Sequence, residues 1–566
     1  MTKKIRLFLV ACLLALAMLC VSCVNMGTPD ASTPPSGSGT TLAPSGTTAT
    51  TLPGTTDGGQ STCAHTDDDN NGLCDKCRMS VLVVVDFYTI NDLHGKFDDA
   101  EGQEGVDELT TYLRRMQSTD DYTVFLSSGD MWQGSAESNL TRGMILTDWM
   151  NELGFVSMTL GNHEFDWGTE HILAHGEAAD FPLLAINIYD AKTDRPVSFC
   201  QPSVMVERGG IRIGIIGAIG DCLSSISADK TAGIYFKTGD ELTDLVKAES
   251  ERLRGEGADL IVYSLHDGYG RSLSSVSTVS SSNLASYYDT ALSRGGYVDL
   301  VFEGHTHQRY VIKDEYGIYH LQGGGENQSI THAEVAVNSV NGDVSVRRAE
   351  YIRTSVYAAM EDDPLVDELL AKYHDQIAKA DLVVGTNPAY MSSDDLKNLT
   401  AKLYYLNGKN KWGADYDIVL GGGYLSVRSP YDLPKGEVKY GDLMTLLPFD
   451  NTVVLCSLSG QSLRTRYFEN DSYYCFYDAY GEGVSRNIDD NATYYIVTDT
   501  YNAYYAPNGL TVVDTYDADT FARDMVADWL GGLSATAASL YALPSEPMEV
   551  VVLLPQHFLF EEAKRR

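Results

Sequence analysis

The residues with the most chemistry in them come in short runs, each directly after an apolar stretch. Asn91-Asp92-Leu93-His94-Gly95 follows the valine-rich run Val81 to Val85 and its continuation through Phe87, Tyr88 and Ile90. Ser127-Ser128-Gly129-Asp130 follows Val124, Phe125 and Leu126, and the octet Gly161-Asn162-His163-Glu164-Phe165-Asp166-Trp167-Gly168 follows Phe155, Val156, Met158 and Leu160. His266-Asp267-Gly268 ends the run Leu260 to Leu265, and Gly304-His305-Thr306-His307 ends the run Tyr297 to Phe302. Any one of these reads as a polar turn. Taken together, Asp92, His94, Asp130, Asn162, His266, His305 and His307 are seven nitrogen or oxygen donors at strand-to-loop junctions. Such a set suits two divalent ions, with the carboxylate of Asp130 as the bridge. His163 adds an imidazole that can gain or lose a proton near neutral pH, and Asp166, three residues on, is close enough to orient it.

Such donors meet only if the chain brings distant positions to one place. Helical patterns over Val106 to Met116, Met144 to Leu153 and Leu242 to Arg254 alternate with strands, including Leu183 to Ile188 and Ile211 to Ile219. In an alternating strand–helix chain the strand ends gather at one edge of the sheet, where ligands bind. Asp92 and His94 are two apart, so an extended backbone would point both to one side.

The series Asp92-x-His94, Gly129-Asp130, Gly161-Asn-His-Glu164, His266 and Gly304-His-x-His307 resembles the calcineurin-like metallophosphoesterases. The longer spelling through Phe165-Asp166-Trp167-Gly168 is similar to their 5′-nucleotidase branch, including bifunctional UDP-sugar hydrolase/5′-nucleotidases. The resemblance implies a four-layer α/β/β/α sandwich followed by a second α/β substrate-binding domain. It also implies that Asp92, His94, Asp130 and His307 hold one metal, that Asp130, Asn162, His266 and His305 hold the other, and that His163 and Asp166 are the catalytic pair.

The flanks frame this body. Residues 1–23 read as a lipoprotein-like signal peptide: a basic start, an apolar run from Leu7 to Leu19 too short to span a bilayer, and Cys23 as the acylated residue. Residues 24–62 are a Ser, Thr, Gly and Pro tether. The metallophosphoesterase domain is expected over 80–355, a helical linker over 356–382, the nucleotide-binding domain over 383–555 and a tail over 556–566. The pattern Leu365, Leu369, Leu370, Tyr373 and Ile377 predicts an amphipathic helix from Pro364 to Leu382, a connector and the expected pivot between domains. A net charge of -37 argues against polymeric nucleic acid as a partner and is compatible with small phosphorylated nucleotides, since bound cations reverse the local field. An exported, cell-surface protein is the expectation, touching a membrane only through its lipid anchor.

Between tether and body, residues 63–79 form a separate motif. Cys63, His65, Cys74 and Cys77 have the ligand types and count of a zinc knuckle. The run Asp67-Asp-Asp69-Asn-Asn71-Gly72 which they enclose instead has the first half of a calcium loop, with Arg78 where its distal Glu would fall. A disulfide is the third reading, and all three stand. Cys200, Cys222, Cys456 and Cys475 fall two in each half of the body, and spacing does not decide whether they pair.

In the second domain, Gly421-Gly-Gly423, Arg428-Ser-Pro430, Gly441-Asp442 and Pro448-Phe449 resemble the family's carboxy-terminal domain. That resemblance implies that Arg428 meets the substrate phosphate and that Phe449 and Tyr501 stack on the base. The departures are Gly421 in place of the usual Asn, the intervening Tyr424 to Val427, a reduced glycine-rich ending at Asn508-Gly509, and Lys397 as the nearest cation where a second arginine is expected. The function implied is hydrolysis of nucleoside 5′-monophosphates by a hydroxide activated between two divalent ions, zinc, manganese or similar. A 2′,3′-cyclic nucleotide phosphodiesterase/3′-nucleotidase or a UDP-sugar hydrolase is the alternative within the same chemistry, and an inactive surface-binding protein is the alternative outside it.

Overall fold

The computed structural model describes residues 63–99, 105–278, 290–428, 432–468, 475–478, 488–504, 509–517 and 520–540. The signal and tether readings, like the 556–566 tail, lie outside these residues. Among the described residues no helix is long and apolar enough to cross a membrane.

Two sheets build the first domain. The six-stranded sheet runs, edge to edge, through Val344–Arg353, Ser329–Asn338, Leu82–Ile90, Thr123–Ser127, Ser157–Thr159 and Leu183–Leu184. The strands from Leu82–Ile90 to Leu183–Leu184 are parallel neighbours, with Ile90 opposite Ser127 and Leu126 opposite Ser157. The seven-stranded sheet has Leu260–His266 between Ile211–Ile219 and Leu300–Glu303, both parallel to it. Gly209 and Gly210, at φ 58° and 82°, turn the chain tightly from Ser203–Arg208 into Ile211–Ile219, a backbone that glycine adopts without steric cost.

Three apolar cores separate four layers, as the sequence resemblance implies. Val85, Phe87, Val124 and Leu126 of one sheet meet Ile213, Ile215, Leu260 and Val262 of the other. The outer face of the first sheet packs on the helices Asp107–Thr119 and Met144–Leu153 through Tyr88, Phe125, Leu109, Trp149 and Met150. The outer face of the second packs on Gly239–Gly255 through Ile216, Ile261, Leu242 and Val246. Burial at about 25 cal/mol per Å² of apolar surface is the main force holding these layers together.

The observed elements match the predicted ones closely where the apolar run is long. The strand expected over Leu183 to Ile188 divides instead: Leu183–Leu184 closes the first sheet, while Ile188–Asp190 joins a separate three-stranded sheet. Asn187 sits at the break with its side-chain nitrogen donating to the carbonyls of Ile219 and Lys237, so a polar anchor interrupts what reads as one apolar run.

The helix predicted from Pro364 ends at Ile377 and continues as a 3₁₀ turn over Ala378–Asp381. Asp363 caps it through Leu365 N, with proline in the first turn. Its buried face, Leu365, Val366, Leu369 and Tyr373, belongs to the first domain's helical core. In the second domain a five-stranded sheet centred on Ile418–Gly423 and Thr493–Asp499 packs on the helix Ser393–Trp412. That helix opens with a capping box between Ser392 and Asp395.

Candidate metal centre and substrate cavity

Six of the seven donors sit just past the strands, five of them in strained loops, while His266 is the last residue of its strand. The first strand stops at Ile90, and Asp92 and His94 have φ of 51° and 50°. The expectation of an extended backbone at this pair is therefore corrected: a left-handed loop, not the pleat, brings them together. Asp130, His305 and His307 are left-handed too, at φ 55°, 68° and 54°. Such a backbone costs of order 1–3 kcal/mol per non-glycine residue and persists only where the surroundings over-determine it. Here the loops cross-tie one another: Asp92 N donates to Gly129 O, His94 N to Asp130 O and Glu326 N to Asp92 O.

The result is a compact, largely buried cluster. His94 Nε2 lies 2.9 Å from His307 Nε2, and His307 Nε2 lies 3.4 Å from Asp92 Oδ1. His266 Nε2 is 3.2 Å from both Asp130 Oδ2 and Asn162 Oδ1, and His305 Nδ1 is 2.8 Å from Asn162 Oδ1. All seven predicted donors thus meet. Asp92, His94 and His307 gather their donor atoms within 4.8 Å of one another, and so do Asp92, Asp130 and His266.

The donor set fits cations. His94 Nδ1 and His266 Nδ1 each give their proton to a carbonyl, of Gln133 at 3.1 Å and Ser128 at 2.7 Å, which leaves Nε2 of both rings turned to the centre. Burial and the neighbouring Arg428 and His307 hold His94 well below the usual histidine range. Burial also pulls His266 down, but Asp130 outweighs it and lifts that ring to about 10. The carboxylate field that would stabilise that proton is the field that would hold a divalent cation.

Two residues near this centre have no role in the sequence reading. The buried carboxylate of Glu164 accepts from the backbone N–H groups of Asp130 and Met131 at 2.9 Å and of Gly161 at 2.7 Å, tying two donor loops together. Its signal is present, since it stands beside His163 in the octet, but a carboxylate that holds backbone rather than metal has no signature of its own. The thiol of Cys222 lies with His266 and His305. Cys200, Cys222, Cys456 and Cys475 are all free.

His163 and Asp166 come together as expected, with Nδ1 2.8 Å from Asp166 Oδ2. Burial pulls His163 down, but Asp166 and Asp130 together raise it above the ordinary histidine value. On its other side the second domain arrives. Arg428 Nη2 is 2.8 Å from His163 Nε2, and the Phe449 ring stacks against His163 at 5.7 Å with 29° between planes. Arg142 of the first domain pairs with Asp450, which Arg523 also holds.

These residues wall a cavity of about 430 Å³ between the domains, a size suited to a small ligand. Asp130, Asn162, His305 and His307 form its floor, and Arg428, Phe449 and Tyr501 line it, as do Lys397 and the departing segment Tyr424 to Val427. Phe449 and Tyr501 are half-buried cavity walls rather than core aromatics. The glycine at 421 also has a reason: a Cβ there would lie 2.4 Å from Tyr405 N on the helix behind it.

Cys63, His65, Cys74 and Cys77 are far from this centre. They adjoin the start of the first strand, whose nine residues place its other end roughly 26 Å away.

The chain matches the family described as calcineurin-like phosphoesterase over residues 86–309, and the 5′-nucleotidase C-terminal domain over residues 377–483. It is 28% identical to an apyrase of Tabanus yao over 70% of this chain and 74% of that one. It is 25% identical to protein UshA of Yersinia enterocolitica, over 75% and 86% of the two chains. Its fold is that of a 5′-nucleotidase precursor from Thermus thermophilus, with a TM-score of 0.61 at 21% identity, covering 80% of this chain and 97% of that one. A phosphoesterase domain that leads into a 5′-nucleotidase domain, with its histidines and carboxylates converging where the strands end, makes this chain a metal-dependent phosphoric ester hydrolase of the 5′-nucleotidase branch of the calcineurin-like metallophosphoesterases.

Proposed function

We propose that the protein is an exported phosphomonoesterase that releases phosphate from nucleoside 5′-monophosphates. The observation that carries this reading is the meeting of Arg428 and Phe449 with His163 above the donor cluster. A cation and an aromatic face 5.4 Å apart suit a phosphate and a base on one small ligand. Among the described residues the buried Nε of Arg428 has no partner, which leaves a donor available to an anion.

Asp92, His94, Asp130 and His307 would hold one divalent cation, and Asp130, Asn162, His266 and His305 the other. When bound, such a pair supplies positive charge for the phosphoryl oxygens and lowers the pKa of the attacking water. The rest falls to this chain's own groups. Asp166 accepts from Nδ1 and fixes the His163 tautomer, so Nε2 is the atom that faces substrate. In this state Nε2 accepts from Arg428 Nη2, and a phosphoryl group seated between them would accept from the guanidinium and from Nε2 once that atom carries a proton. His163 then steadies charge on the phosphoryl oxygens, or gives its Nε2 proton to the leaving ester oxygen. Phe449 and Tyr501 offer faces to the base without reading its identity. Lys397, which lines the cavity and also pairs with Asp394, supports a second cationic contact with the substrate. The basic start and apolar run of residues 1–23 support export, and Cys23 supports lipid anchoring.

The test is phosphate release from AMP with and without a chelator, beside 2′,3′-cyclic nucleotides, UDP-sugars and bis(p-nitrophenyl) phosphate. We expect AMP to turn over fastest, chelation to abolish it and added divalent metal to restore it. A faster diester or UDP-sugar would reassign the substrate.

A further inference from the structure

The four ligand-type side chains at the start of the folded body converge, and nothing in the phosphoesterase chemistry uses them. Cys63 Sγ lies 3.7 Å from Cys74 Sγ, and Cys77 Sγ lies 3.4 Å from His65 Nδ1. All four donor atoms fall within 4.8 Å of one another. Zn–S bonds of about 2.3 Å and a Zn–N bond of about 2.0–2.1 Å at tetrahedral angles require S···S and S···N edges of about 3.8 and 3.6 Å. The observed edges match. A disulfide needs sulfurs about 2.05 Å apart, and all three cysteines are free thiols.

The calcium reading meets a different obstacle. Asp67, which would lead a calcium loop, spends both oxygens on protein donors: Oδ1 accepts from Asn71 N, and Oδ2 from Gly72 N and Asn338 Nδ2. Asp69 accepts from Asn71, and Asp75 from Asp68 N. The acidic run folds the loop and docks it, with Asn70 donating to Asp343 in the hairpin turn between Ser329–Asn338 and Val344–Arg353.

We propose that Cys63, His65, Cys74 and Cys77 bind one structural Zn²⁺ that closes the segment 63–77 and holds it against the first sheet. The site lies at the opposite end of the first strand from the donor cluster, so it acts on the attachment of the body and not on turnover. In an exporting compartment the ion also keeps three thiols from oxidising.

The purified exported chain tests this, loaded with cobalt in place of zinc. Cys222 lies beside the seven-donor centre, so only the part of a sulfur-to-cobalt charge-transfer absorption that depends on Cys74 and Cys77 reports the proposed site. We expect the Cys74→Ser/Cys77→Ser variant to lose that absorption and one zinc equivalent per chain, with phosphate release from AMP unchanged. Cys77 is exposed, so Cys77→Ser alone serves if the double variant does not fold. An absorption whose intensity these substitutions leave unchanged would overturn the proposal. So would a native mass two hydrogens lighter than the reduced chain, or binding of calcium with zinc refused.

Discussion

At the scale of single residues, proton positions and lone pairs decide what each side chain can do. His163 shares its Nδ1 proton with Asp166 and turns Nε2 to the cavity, so His163→Ala should lower turnover by about 10²- to 10⁴-fold while the chain still binds metal. Steady-state phosphate release with metal analysis on the same sample checks it, and full turnover would remove His163 from the chemistry. Asp130→Ala should instead lose metal affinity at both positions, and retention of two ions per chain would contradict its bridging role. His175 carries a prediction of another kind. It stacks on Trp132 at 3.6 Å, gives its Nε2 proton to Arg142 O and accepts from Thr147 at Nδ1. Burial pushes it down to about 4, so it folds neutral. Below a pH of about 6.5 the unfolded chain takes up a proton the folded chain refuses, so this stability is complete above about 6.5 and lost as pH falls toward 4. The difference amounts to about 3 kcal/mol. Denaturant unfolding at pH 4.5 and 7.5 should show a smaller pH penalty in His175→Gln than in the parent.

The element scale explains both what could be read from the chain and what could not. The seven donors were legible because each follows an apolar run, and runs of that kind end at a sheet edge. Their left-handed backbone was not legible, since Asp92-x-His94 spells the same in a strand or a loop. Nor was the role of Glu164, which ties its own loop at Gly161 to main-chain groups of Asp130 and Met131 far away in sequence. The strand over 183–188 misled for the converse reason: Asn187 looks like a minor interruption, yet its side chain anchors two other segments. Close approach between loops gives a sharper test than removing a ligand. A Cβ on Gly161 would stand 2.3 Å from Asp130 Oδ1 and 2.7 Å from His266 Cε1. Gly161→Ala should therefore weaken metal binding at least tenfold, although every donor remains. Gly176→Ala, in the helix Thr169–Ala178 with no atom closer than 3.6 Å to the new methyl, should leave metal titration unchanged.

For the whole molecule the question is how a substrate reaches a donor cluster that the second domain covers. Arg428 touches His163, Phe449 stacks on it, and Asn139 Nδ2 donates to Pro448 O across the domain boundary at 3.4 Å. A nucleotide cannot enter between Arg428 and His163 while that contact stands. The helix Pro364–Ile377 cannot swing freely, because Tyr373 and Lys372 both reach Asp148 and its apolar face is buried in the first domain. The joint we expect is the 3₁₀ turn Ala378–Asp381 that follows it. Tyr440 and Met444 of the second domain pack on Ala136 of the first close to this joint, and a Cβ on Gly441 would stand 3.4 Å from that of Ala136. That spacing lies just below the separation of about 3.5–4.5 Å between the Cβ atoms of a disulfide, so a slight relaxation would admit the bond. Ala136→Cys combined with Gly441→Cys should therefore lock the domains in this arrangement. Under oxidising conditions the locked chain should turn AMP over at least tenfold more slowly, with metal content unchanged and activity restored by reductant. Full activity in the cross-linked chain, verified by mass, would mean that substrate enters without the domains parting.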